Sequence, residues 1–139
     1  MPQDNTEIVK SFYQAMGRGD IPVVLGILDS RVEWNEAENF LYSDRNPYIG
    51  PQAVLDGVFA RIGADWNNFS AIPHELLGSG DTVVAFGRYG GTHKSTGRPV
   101  NAQYVHVFKL KDGKVVSFQQ YTDTAQFQEA AGRGRSAKA

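Results

Sequence analysis

The chain has 139 residues, with 14 Lys and Arg against 15 Asp and Glu and a formal net charge of −1, which suits one domain around one core and gives no reason to expect nucleic acid or an anionic membrane as a partner. It contains no cysteine, so disulfides and thiolate metal sites are excluded. The start, MPQDNTEIVK, lacks the apolar run of a signal peptide, no segment approaches the ~20 apolar residues that cross a bilayer, and a cytoplasmic location is the expectation.

Asp4-Asn5-Thr6-Glu7 reads as a helix start, followed by Ile8, Phe12, Ala15 and Met16 at helical spacing and ended by Gly17 and Gly19. Asp20 caps a second helix with Pro22 in its first turn. Val32 and Trp34 alternate with Glu33 and Asn35, which predicts a short strand over 31–36. Residues 37–50 read as an irregular aromatic loop, expected to cover a cavity mouth as a lid. Gly50-Pro51 opens a third helix with Val54, Leu55, Val58, Phe59 and Ile62 as its stripe. Strands are predicted at 67–78, 82–93, 99–111 and 114–123, separated by turn residues. Asp123-Thr124 caps a final helical turn through Phe127. Helices first and hairpins later argue an α+β fold of order ααβαββββ. A single domain over 1–128 is expected, with 129–139 as a disordered tail.

The strand around residue 106 carries the chemistry. Tyr104, His106, Phe108 and Leu110 share one face, because alternate strand side chains point the same way. An imidazole beside a phenol on an apolar face suits a small-molecule pocket, and it equally suits a core with a hydrogen-bonded polar pair. Glu36 lies on the Val32–Trp34 side of the first strand, where burial would raise its pKa; Glu38 is its competitor. Arg88 shares parity with Val84 and Phe86. It would meet Glu36 or a carboxylate ligand if those face the cavity, and lie at a rim if they do not. No His-x-His, HExxH, Walker A or strand-led Gly-x-Gly-x-x-Gly pattern occurs, so no metal and no cofactor is expected.

The Gly19-Asp20 break, Val32-Glu33-Trp34, Tyr48-Ile49-Gly50-Pro51, Gly87-Arg88-Tyr89-x-Gly91-Thr92, Thr96-Gly97-Arg98-Pro99, Tyr104-x-His106-Val107-Phe108, Asp112-Gly113-Lys114-Val115 and Tyr121-x-Asp123-Thr124 follow one another in an order that resembles the nuclear-transport-factor-2-like superfamily. Within it they resemble the SnoaL-like, ketosteroid-isomerase-related proteins, over about residues 5–128. The resemblance implies a cone: a curved mixed, mostly antiparallel, cystatin-like sheet wrapped around the N-terminal helices, with a cavity at the wide end. It also implies homodimers through the sheet, and the outer face of the last strands, with Val105, Val107, Val115 and Tyr121, is apolar enough to pair with another subunit. Members include isomerases, polyketide cyclases, epoxide hydrolases, dehydratases and plain binding domains, so the fold does not name a reaction.

The resemblance implies roles as well. His106 matches the position of the isomerase's oxyanion donor, and Glu36 or Asn35 its general base. The isomerase's first-helix phenol falls on Phe12, with Tyr13 one residue away and turned by about 100°; Tyr104 is the candidate replacement. The cyclases' acid–base aspartate falls on Gln120, which cannot transfer a proton, and Asp123 reads as a helix cap. The expected catalytic set is His106, Glu36 and Tyr104. The expected ligand-lining set is Trp34, Tyr13, Phe12, Phe86, Arg88, Phe118, Gln120, Tyr48 and Phe59. The expected function is a cofactor-free isomerase, cyclase or dehydratase acting by proton transfer next to a carbonyl. The alternatives are a non-catalytic binder of a small apolar or carboxylate ligand and a dimeric interaction module.

Overall fold

The computed structural model describes residues 4–133. Helix α1 (Asn5–Gly17) begins where the Asp4 carboxylate accepts the Thr6 N–H, a cap of about 1 kcal/mol. It buries Ile8, Val9, Phe12, Tyr13 and Ala15. Helix α2 (Ile21–Ile27) is capped by Asp20, which accepts from Val23. Strand β1 (Leu28–Asn35) follows directly, with Val32 and Trp34 buried.

The stretch read as irregular loop contains a second strand, β2 (Tyr48–Ile49), antiparallel to β1 with Trp34 opposite Tyr48. Two residues are too few for alternation to show in sequence. Helix α3 spans 51–65, α-helical over Pro51–Val54 and Ala60–Asp65 with a π turn at Leu55–Phe59 between them. The long hairpins follow: β3 (Trp66–Ser79), β4 (Thr82–His93), β5 (Pro99–Lys111) and β6 (Lys114–Thr122). Helix α4 (Thr124–Ala130) is capped by Asp123, which accepts from Gln126.

The six strands form one curved, unclosed sheet in the order β2-β1-β6-β5-β4-β3. Only the β1–β6 pair is parallel. Helix α1 lies on the inner face, against β3 and β4. Along β5 the inward set is Val100, Ala102, Tyr104, His106, Phe108 and Leu110, all buried. Along β4 it is Val83, Ala85, Gly87 and Tyr89.

Three expectations are corrected. Val115 faces the core and is 0% exposed, because a register shift between Lys109 and Leu110 moves its parity relative to Phe118. The final helix runs to Ala130, beyond the expected end at Phe127, and residues 129–133 are ordered on the fold. Thr96 Oγ1 donates to Ala130 O, Arg98 Nη1 to Glu129 O, and Arg133 N to Gln128 O. The rest of the expected tail, 134–139, lies outside the described residues.

Candidate functional site

A cavity opens between α1, β1, α3 and the inner face of the sheet. Its volume is about 40 Å³, more than the ~10–15 Å³ that one ordered water needs. Phe12, Tyr13 and Met16 line it from α1, Trp34 from β1, and Val58, Phe59 and Ile62 from α3. Tyr89, His106, Phe118 and Gln120 line it from β4, β5 and β6, and Glu36 lines it from just beyond β1.

Glu36 stands one residue beyond β1 and is 3% exposed. Its Oε2 accepts the Trp34 indole N–H at 3.0 Å, and no described residue bonds Oε1. Its backbone N–H donates to Asn46 Oδ1 at 3.0 Å, and Asn46 Nδ2 donates to its carbonyl at 2.8 Å. Burial raises the Glu36 pKa to about 8, against weaker lowering by the Trp34 bond and the distant Arg61 charge. Asn46 had no sequence signal: it is an exposed loop residue whose partner is a backbone. Glu38, the competing carboxylate, is exposed.

His106 is 4% exposed and holds a phenol on each nitrogen. The Tyr13 hydroxyl is 2.5 Å from Nδ1 and the Tyr89 hydroxyl 2.6 Å from Nε2. Burial lowers the His106 pKa to about 3, so the imidazole is neutral near pH 7, one nitrogen a donor and the other an acceptor. Gln120 Nε2 donates to the Tyr89 hydroxyl at 2.8 Å, while Gln120 Oε1 accepts the Ala37 N–H at 2.9 Å. The Ala37 bond fixes which end of the amide is oxygen. Burial raises the pKa of both Tyr13 and Tyr89 well above the ordinary phenol value, so both remain protonated.

This chain has a chemical consequence. A neutral imidazole donates to one phenol and accepts from the other. The phenol that accepts keeps its own proton free for a third group. With the proton on Nδ1, Tyr89 donates to Nε2 and accepts from Gln120, and the Tyr13 O–H is released from the imidazole to donate to another oxygen, that of the neighbouring Tyr104 hydroxyl or of a ligand.

Of the expected residues, the cavity brings together His106, Glu36, Trp34, Tyr13, Phe12, Phe118, Gln120 and Phe59. Four are elsewhere. Phe86 and Arg88 lie on the outer face of β4, since the inward set is the odd one. Arg88 there donates to Asn101 Oδ1 at 2.8 Å. Tyr48 is buried behind the cavity, its hydroxyl donating to Tyr42 O and accepting from Arg61. Tyr104 is buried beside His106, ring centroids 4.0 Å apart, but does not line the cavity, and its hydroxyl, near that of Tyr13, meets the full hydrogen-bond geometry with no described residue. Tyr89 lines the cavity although the sequence did not single it out; its parity with Val83 and Ala85 marks a shared face but not which face looks inward. The 37–50 loop is pinned rather than free: Arg61 on α3 grips Asp44 with both terminal nitrogens, and Tyr42 donates to Asp65.

The SnoaL-like domain model matches residues 9–118. The chain belongs to the SnoaL-like family. An NTF2-like protein from Burkholderia thailandensis E264 is 30% identical, with a TM-score of 0.88 over 92% of this chain and 97% of that one. TerC, co-crystallised with polyporic acid, is 24% identical, with a TM-score of 0.82 over 92% of this chain and 98% of that one. A protein with a ketosteroid isomerase-like fold from Catenulispora acidiphila DSM 44928, in complex with trimethylamine, is 17% identical, with a TM-score of 0.76 over 91% of this chain and 92% of that one. At those identities the last two show the fold alone. No curated protein matches the chain significantly. Among the described residues no helix is long and apolar enough to cross a membrane.

Proposed function

We propose that this SnoaL-like chain is a cofactor-free enzyme of the isomerase, cyclase or dehydratase type that moves a proton next to a carbonyl inside the cavity. One observation carries the reading: Glu36, a carboxyl with one oxygen that no described residue bonds, shares an aromatic cavity with a phenol–imidazole–phenol chain. Glu36 serves as the base. Proton abstraction leaves it neutral, the form that burial favours. The charge that develops on the substrate oxygen needs a donor. His106 cannot supply it directly, because phenols occupy both ring nitrogens. Tyr13 takes the donor role given above to His106 and Tyr104, and His106 and Gln120 become positioning residues. No base replaces the cyclase aspartate at Gln120, so the isomerase-like roles are favoured over the cyclase-like ones.

The test needs no known substrate. Small ketones are incubated with the protein in heavy water, and loss of α-proton signals is followed by NMR. Glu36→Gln should slow the exchange by about 10²–10⁴, the usual share of a general base, and Tyr13→Phe by a smaller factor. Exchange by the wild type no faster than by Glu36→Gln, for every ketone tried, defeats the reading.

The assembly proposed is a homodimer through the outer sheet face. Ile72, Leu77 and Tyr121 are exposed there by 61%, 53% and 56%. An open groove of about 600 Å³, lined by His74, Phe86, Arg88, Gln103 and Tyr121 among others, crosses the same face. Sedimentation that gives a monomer at micromolar concentration would count against it.

A further inference from the structure

We propose that the inner cavity is a cation site, taking a small ammonium or quaternary ammonium group against its aromatic walls with the Glu36 carboxylate as counter-ion. The inference concerns binding and does not depend on turnover.

The first ground is the inventory of charge. Glu36 is the one side chain lining the cavity that can carry a formal charge near neutral pH. No lysine or arginine lines it among the described residues. Arg88, the cation that would have welcomed a carboxylate ligand, is on the far side of the sheet. An anion entering the cavity would meet no positive partner and would sit near Glu36.

The second ground is the walls. Phe12, Tyr13, Trp34, Phe59 and Phe118 line the cavity together with Glu36, Trp34 and Phe118 stacked on each other at 3.7 Å. Ring faces are negative, and a desolvated cation is attracted to them. The remaining polar groups, His106, Tyr89 and Gln120, are bonded to one another and offer phenolic oxygens rather than positive charge.

The third ground is the unspent oxygen. Glu36 Oε2 is held by the Trp34 indole, and no described residue bonds Oε1. The ionisable groups around this carboxyl are Arg61 on α3, Tyr48 on β2, Tyr89 on β4, Tyr13 on α1 and neutral His106 on β5. Arg61, the only charge among them, is already committed to Asp44 by a bidentate pair at 2.7 and 3.1 Å. The carboxyl therefore has room for one more cation, and none among the described residues takes the place.

Burial keeps Glu36 protonated below about pH 8, so a permanent cation must displace that proton. Binding is then linked to pH. Affinity should rise about tenfold from pH 7 to pH 9, as the ionised fraction grows from about a tenth to about nine-tenths.

The experiment uses the full chain and titrates it calorimetrically at pH 7 and pH 9 with tetramethylammonium chloride against sodium chloride of equal ionic strength. Tert-butanol serves as the neutral isostere and pivalate as the anionic one. The expected result is saturable one-to-one binding of tetramethylammonium, about tenfold tighter at pH 9. Titrations in buffers of different ionisation enthalpy should show nearly one proton released at pH 7 and little at pH 9. Glu36→Gln should weaken binding at least tenfold at pH 9 and remove its pH dependence. If Glu36→Gln fails to fold, proton release by the wild type decides alone. No saturable binding, pivalate binding as tightly as tetramethylammonium, or affinity unmoved by Glu36→Gln overturns the proposal. Ketone exchange without cation binding would defeat this inference and leave the catalytic one standing; binding without exchange does the reverse.

Discussion

Asn46 grips Glu36 by its backbone on both sides, accepting from its N–H at 3.0 Å and donating to its carbonyl at 2.8 Å. The acid is thus held at three points, two through its peptide groups and one through the indole of Trp34. Asn46→Ala should cost about 1–3 kcal/mol, the usual value of two such bonds. A merely structural role would stop there. A positioning role adds that Glu36 loosens toward water, so the midpoint of its titration falls from about 8 toward the ordinary carboxyl range. Following that carboxyl by NMR across pH 4–9 in both proteins checks it, and an unmoved midpoint would show that Asn46 braces the loop without tuning the acid.

The two buried titratable groups of the cavity pull stability in opposite directions with pH. Glu36 binds its proton more tightly folded (about 8) than unfolded (4.5). Its contribution is complete below pH 4.5 and is lost as pH rises through about 8, at roughly 1.4 kcal/mol per unit. His106 binds its proton less tightly folded (about 3) than unfolded (6.5). Its contribution is complete above pH 6.5 and is lost as pH falls toward 3, at a similar slope. Between pH 4.5 and 6.5 the two slopes cancel, so urea melts should show a plateau there with declines on either side. Glu36→Gln should flatten the alkaline decline and extend the acid one up to pH 6.5, because nothing then offsets the His106 slope. A variant that keeps the full loss between pH 6.5 and 8 would mean that another group causes it.

Most of the fold could be read from the chain because its signals are local. Asp4, Asp20 and Asp123 each announce a helix start by a cap that they do make. The alternation from Tyr104 to Leu110 correctly puts His106 and Phe108 inside. What failed was non-local. Whether the odd or the even face of β4 looks inward is set by its pairing with β5, where Ala85 sits opposite His106, and a lone strand's alternation does not reveal it. Arg88 and Phe86 were misplaced for that reason, and Tyr89 was overlooked. Val115 shows the other limit, since one register shift reverses parity without any mark in the sequence.

Tyr13 and Tyr89 act on one imidazole from opposite sides, so their effects should not add. Either Tyr13→Phe or Tyr89→Phe leaves a buried ring nitrogen without a partner, at about 1–3 kcal/mol. Their double variant should depart from additivity by more than about 0.5 kcal/mol, because both changes converge on the same ring. The tautomer offers a sharper readout. With Tyr13 gone, the ring should carry its proton on Nε2, toward Tyr89 (2.6 Å), and leave a bare lone pair at Nδ1, the cheaper orphan. Nitrogen-15 shifts of His106 in wild type and Tyr13→Phe test this, and additive energies together with unchanged shifts would break the proposed chain.

Gly87 makes room for the ring that backs His106. A Cβ there would lie 2.3 Å from the Ile72 carbonyl oxygen and 2.5 Å from the Tyr104 hydroxyl. The first obstacle is backbone of β3, next to the register shift after Pro73, and cannot swing aside as a side-chain tip would. The second is the Tyr104 ring, stacked on His106 at 14°. Gly87→Ala should therefore destabilise by about 1–3 kcal/mol, as overpacking does, and should shift the His106 ring resonances as well. Gly63 in α3 is the control, because a Cβ there meets nothing within 4 Å. Gly63→Ala should stabilise by about 0.4–1 kcal/mol through the unfolded chain. Urea midpoints that move the same way in both variants would mean that the close approach of β3 and Tyr104 to Gly87 does not govern packing behind the imidazole.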